Sequence, residues 1–349
     1  MNIAEKAGAI GWISRKLNPF MKRLFPEVPA GHPAMGEMVM NFSANLLGLD
    51  NAATPFGLKA MQSLQTLNAD KEKASNSQIM FLVLHTSGLT IIPLSIITYR
   101  IAAGSKEATS IFIPCVFATV CTTLASIIVV SFMQKVKWDK VLIASIGFLL
   151  LLVAGTLYLL SVMTDEERNI FSNVVGNAIL LTIIVAIVLT GAIKKVSVFD
   201  TFIDGAKEGF GVVLKIIPYL VGMLVAIRLF RDSGALGYIT NAIAYTLHLT
   251  GINTDFVPSL PVAIMKPFSG SGARAMMLDV FANPAYGPDS FVGKLSSIFQ
   301  GSADATFYII ALYFGSVGIK KVRHAVWAGL MADCIGVITA VIIGYFFFK

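Results

Sequence analysis

The sequence predicts an all-α polytopic membrane protein built from two inverted-topology repeats, each with an interfacial helix, a broken re-entrant hairpin and spanning helices. Three observations lead there. Of 349 residues, 56% are hydrophobic and only 13% charged, with a mean hydropathy of +0.75, about half the charge of an ordinary soluble domain. Several runs, among them 141–163, 173–193 and 324–348, exceed the roughly 18 apolar residues of a membrane-spanning helix. And "TPFGLKAM" (54–61) returns 215 residues later as "SGSGARAM" (269–276), with Gly57/Gly272, Ala60/Ala275 and Met61/Met276 identical and Lys59/Arg274 alike in charge.

In chain order, "GAIGWI" (8–13) opens a short interfacial helix and matches "GALGYI" (234–239) at an offset of 226. A Pro-rich "FPEVPAGHPAM" then leads into the first hairpin, "LGLDNAATPFG", whose glycine and proline interrupt an apolar run. Five crossing helices are expected next, at 79–100, 110–132, 141–163, 173–193 and 206–230. The second hairpin holds "KPFSGSGA", and helices at 295–316 and 324–348 close the chain. The offset of 215 persists, since Ser87 in "HTSGLT" matches Ser302 in "GSADAT". Repeats of this kind underlie many secondary transporters.

Five crossings between the equivalent helices near 79 and 295 put the two copies in opposite orientation. Charge agrees. Lys135, Lys137, Lys140, Lys194, Lys195, Lys320, Lys321 and Arg323 fall on one side, with Arg15, Lys16, Lys22 and Arg23 of the first interfacial helix. The segment 239–251 of its partner has no lysine or arginine. The basic side is expected to be cytoplasmic. The domains expected are a gate repeat at 1–135, connecting helices at 136–200 and a second gate repeat at 201–349. The helix at 206–230 introduces the second copy without a counterpart before the first, so a further N-terminal helix is expected in the natural protein.

Several classes are excluded by pattern. The histidines form no metal-ligand cluster, and neither a phosphate-binding loop nor a nucleophile elbow occurs. Cys115, Cys121 and Cys334 sit in apolar segments at no ligand spacing and read as packing residues. The net charge of +7 follows from basic loops and needs no nucleic acid. No enzyme, metal or cofactor is therefore expected.

Polar side chains inside a membrane are costly and mark function. The candidate substrate-binding residues are Asn45, Asn51, Thr54 and Lys59 in hairpin one with His85, Thr86 and Ser87 after it. Lys266, Ser269, Ser271 and Arg274 in hairpin two are followed by Gln300, Ser302, Asp304 and Thr306. A helix restarting near each basic residue would present unpaired N–H groups and a partial positive charge to a carboxylate, a phosphate or a ring oxygen. The plainer alternatives are that Lys59 and Arg274 snorkel to an interface, that the hydroxyls bond their own preceding turn, and that His85 is a satisfied core histidine. Asp304 and Asp333 are carboxylates deep within apolar helices, and Asp333 could equally pair with a neighbouring helix.

The strings "MVMNFSANLLGLDNAATPFGLKAMQSL" (38–64), "KPFSGSGARAMMLD" (266–279) and "GSADATFYIIALYFGSVGIKKVRHA" (301–325) resemble the spore maturation protein A/B family in its fused form. That resemblance implies membership of the nucleoside recognition or gate group, which includes parts of concentrative nucleoside transporters and bacterial ferrous-iron transporters. It also implies a multi-pass protein of the bacterial inner membrane with a role in transport, and family members carry additional N-terminal helix sequence. The function expected is a secondary transporter of a small polar or anionic metabolite, nucleoside-like or carboxylate-bearing, with H+ or Na+ as coupling ion. The alternative is a non-transporting membrane scaffold in envelope or spore maturation. Expected partners are membrane lipid and the solute, with a homo-oligomer left open.

Overall fold

The computed structural model describes residues 2–349 except 30, 49, 137, 208–209, 211–220, 222–224, 226–228, 230–231, 250 and 252. The helix expected at 206–230 lies largely outside the described residues. The first repeat contains α1 (Asn2–Lys6), α2 (Ala9–Leu24), α3 (Pro33–Leu46), α4 (Asp50–Leu67), α5 (Asn76–Thr86), α6 (Leu94–Ala102) and α7 (Phe112–Gln134). The connecting pair is α8 (Lys140–Ser161) and α9 (Asp165–Ile193). The second repeat contains α10 (Ala235–His248), α11 (Leu260–Met265), α12 (Gly270–Ala282), α13 (Phe291–Gly301), α14 (Thr306–Ser316) and α15 (Ala325–Phe348).

Local chemistry sets the repeat boundaries. Gly8 and Gly234, 226 residues apart, precede α2 and α10 at φ +82° and +77°, a left-handed conformation that glycine adopts without strain. Ser75 and Ser290, 215 apart, cap α5 and α13 by accepting from Gln78 N–H and Gly293 N–H, so these helices begin at equivalent residues. They also end at equivalent residues, Thr86 and Gly301.

Neither helix continues as expected. The helices predicted at 79–100 and 295–316 are each broken, at 87–93 and 302–305. In the first break Gly88 takes φ +60°, and Pro93 lacks the N–H that would carry the helix on. In the second, Asp304 N–H donates to Thr86 O (2.7 Å) and Phe307 N–H to Pro267 O (2.9 Å). The freed backbone is thus satisfied by protein, as buried irregular backbone requires.

The two breaks meet. A methyl at Gly88 would lie 3.3 Å from Ala303 C, and Gly88 and Ala303 are equivalent under the 215-residue offset. The closing helices pack antiparallel, Thr122 of α7 against Gly336 of α15 and Phe117 against Phe347. Equivalent residues that touch, on equivalent helices that run oppositely, define a pseudo-two-fold axis across the helix direction, which is the inverted-repeat arrangement.

The cores are exchanged between repeats. Hairpin α3–α4 packs with α5 and with α14 of the other repeat, while hairpin α11–α12 packs with α13 and draws on α6. At one end Ala74 N–H donates to Lys321 O and Lys320 and Lys321 N–H to Glu72 O. At the other, Arg100 is fully buried and donates to Pro288 O (2.6 Å), Ser297 Oγ and Asp289 Oδ1 (2.9 Å). Among the described residues four helices, α7, α8, most of α9 and α15, are long and apolar enough to cross a membrane, and α8 and α9 leave most of their apolar surface uncovered.

Candidate functional site

Beside the crossing of the breaks lies a cavity of about 100 Å³. Its charged lining is Lys266, Arg274 and Asp304; its neutral polar lining includes Asn45, Thr90, Ser95, Thr119 and Gln300. Pro93, Ser95 and Ile96 bring the start of α6 to it, and Gly270 brings the start of α12. Two helix N-termini, with their orphan N–H groups and partial positive charge, therefore open on the same space.

Each side chain has a structural reason to be there. Lys266 lies in the turn between α11 and α12, buried, with Nζ donating to Gln300 O (2.7 Å) at the end of α13. Gln300 Nε2 in turn donates to Gly270 O (3.3 Å). Ser269 caps α12 by accepting from Gly272 N–H (3.0 Å) and pairs with Ser271 Oγ. Arg274, one turn into α12, is half-buried with its guanidinium 5.2 Å from the Tyr99 ring centre, a cation–π contact. Asp304 stands in the second break, within electrostatic reach of both Lys266 and Arg274. A charge at the bilayer centre costs about 2.5–3.5 kcal/mol on insertion scales. Here three charged side chains of both signs line one cavity, the two cations within electrostatic reach of the carboxylate.

A second polar cluster fills the equivalent place on the first repeat. His85, the counterpart of Gln300, shares Nδ1 with Asn41 Oδ1 and Asn45 Nδ2, each at 3.0 Å. Tyr313 Oη lies 3.3 Å from His85 Nε2, and the Tyr313 ring stacks on Phe81. Gly57 makes this possible, because a methyl there would lie 1.9 Å from Tyr313 Oη. Asn45 belongs to both clusters, bonding His85 and lining the cavity.

The expected residues divide accordingly. Asn45, Lys266, Arg274, Gln300 and Asp304 come together around the cavity, and His85 joins through Asn45. Thr86, Ser87 and Ser302 are buried and return their hydroxyls to the preceding turn, at Val83 O, Leu84 O and Phe299 O; Ser87 also accepts from Thr123 Oγ1 (3.0 Å). Thr306 donates to Asp333 (2.7 Å) and so pins the start of α14 to α15. Thr54 is half-buried and is not among the residues lining the cavity. The side chain of Asn51 lies outside the described residues. Lys59 is exposed on α4 and is not part of the cavity. The expectation for it depended on a helix restarting near it; α4 instead starts at Asp50 and runs through Pro55, which places Lys59 in mid-helix.

Cavity residues outside the expected set include Ser95, Cys115 and Thr119. Thr119, Thr122, Thr123 and Ser126 of α7 are all buried at the i, i+3, i+4, i+7 spacing of one helix face, a stripe legible in the sequence. Among the described residues no group of three His, Cys, Asp or Glu could hold a metal ion.

Comparison with known proteins narrows the identity. The family described as "Gate: Nucleoside recognition" matches residues 1–136 and 213–320; it is not an enzyme family. The chain is 48% identical to spore maturation protein B of Bacillus subtilis (strain 168) over 166 residues, 48% of this chain and 90% of that protein. It is 44% identical to spore maturation protein A of the same strain over 129 residues, 37% of this chain and 66% of that one. No solved structure matches. With the two matched segments falling on the two structural repeats, the chain belongs to the nucleoside recognition Gate family of multi-pass membrane proteins, as a spore maturation A/B member.

Proposed function

We propose that this protein is a secondary transporter of a small polar or anionic solute in the bacterial inner membrane, its basic loops cytoplasmic. The observation that carries this reading is the cavity at the crossing of two equivalent broken helices, lined by Arg274, Lys266 and Asp304. Sites of that form, near the midplane and between inverted repeats, are how many secondary transporters hold their solute. Movement of one hairpin against the other repeat's half-helix would expose the cavity to each side in turn. Asp304 is the candidate carrier of a coupling H+ or ligand for Na+. The names of the spore maturation relatives support a role for such activity in envelope or spore maturation.

Proteoliposomes containing the purified protein, supplied with nucleosides, dicarboxylates, amino acids and small peptides under sodium or pH gradients, test it. Uptake of one class, reduced at least tenfold in Arg274→Gln and in Asp304→Asn while Lys59→Ala retains it, is the expected result. No uptake, with both variants behaving as wild type in cells, favours the scaffold reading.

A further inference from the structure

Two charged groups lining the cavity have no hydrogen-bond partner, and together they specify a ligand more narrowly than either does alone. Among the described residues neither the Asp304 carboxylate nor the Arg274 guanidinium makes a hydrogen bond.

Lys266 is a different case. Its ammonium donates to Gln300 O at the C-terminal end of α13, where carbonyls are orphaned and the dipole is negative. Arg274 and Asp304, opposite in charge and within electrostatic reach of each other, keep their hydrogen-bonding capacity for a ligand. A simple anion would meet Arg274 and leave Asp304 without a hydrogen-bond donor; a simple cation would do the reverse. A solute carrying both charges meets both groups at once.

We propose that the cavity binds a small zwitterion, a solute with a carboxylate and an ammonium on neighbouring carbons. The carboxylate faces Arg274 and the first turn of α12, and the ammonium faces Asp304. Size points the same way. A cavity of about 150 Å³ takes benzene, so the 100 Å³ present suits a solute of about five heavy atoms, in the range of glycine or alanine. Translocation of the bound solute rests on the transport reading; occupancy of the site does not.

The test is calorimetric titration of the purified full-length protein with glycine, L-alanine, acetate, methylammonium and uridine, paired with uptake assays of the same solutes. Glycine or alanine is expected to bind, acetate and methylammonium to bind at least tenfold more weakly, and Arg274→Gln and Asp304→Asn each to lose glycine at least tenfold. Should a variant fail to fold, the wild-type ranking of glycine against its two half-molecules decides alone. Acetate binding as well as glycine, or uridine binding in its place, overturns the zwitterion and leaves the transporter. No binding, together with no uptake of any solute, removes both.

Discussion

Gly57 and Lys59 are two residues apart in the repeated motif and have opposite fates. Gly57 is required because Tyr313 Oη occupies the space of its missing methyl. Overpacking of this kind costs about 1–3 kcal/mol, so Gly57→Ala should lower the melting temperature measured in detergent, whereas Lys59→Ala, at an exposed site, should leave it unchanged. Asp289 gives a pH test. Burial pushes its carboxyl up, but the Ser105 hydroxyl, the Lys106 N–H and the nearby Arg100 outweigh that and hold it below its ordinary 3.8. A folded value below the unfolded one stabilises the fold above the unfolded value of about 3.9, and the contribution is lost as pH falls through the folded value. The melting temperature of wild type should therefore exceed that of Asp289→Asn at pH 7 and converge on it below about pH 4; a constant difference contradicts the assignment.

Among the elements, the two broken helices were half legible. Their starts were expected a few residues late, at 79 and 295, although a capping serine stands in the sequence at Ser75 and again at Ser290. Their interruptions could not be read, since what stabilises Asp304 N–H outside a helix is Thr86 O, more than two hundred residues away. Apolar composition alone reads such a segment as continuous. The carboxylate of Asp304 was legible as an ion inside an apolar run, and so was Arg274 beside a glycine-rich turn. Lys59 was misplaced by symmetry: the motif repeats, but α4 starts at Asp50, earlier than its counterpart α12. Gly88→Val should disturb both breaks together, because its added atoms would enter the backbone of Ala303 and Asp304 at φ +60°. A loss of stability above about 1 kcal/mol by denaturant titration is expected, and an unchanged midpoint would contradict the crossing.

For the whole molecule, composition settled the class and the 215-residue offset settled the architecture, while the exchange of half-helices between hairpins was visible only in three dimensions. The ends differ in strength. Arg100 and Asp289 close one end through a network around a fully buried guanidinium; the other is joined by the backbone bonds of Glu72, Ala74, Lys320 and Lys321 and by an exposed Glu72–Lys320 pair (2.6 Å), a kind of ion pair worth about 0–1 kcal/mol. The end at Glu72, whose ion pair is exposed, is the one expected to open first. A disulfide between Glu72→Cys and Lys320→Cys should abolish uptake in proteoliposomes and reduction should restore it; full uptake by the oxidised protein would show that this end does not move.

The hydrogen bond from Asp304 to Thr86 and the exchanged packing of α6 and α14 also bear on chain stoichiometry. Neither repeat can complete its own broken helix, so each is half of an obligate pair that happens to share one polypeptide. Severing the chain in the 194–197 turn should give two fragments that are unstable when expressed singly and accumulate, one to one, when expressed together.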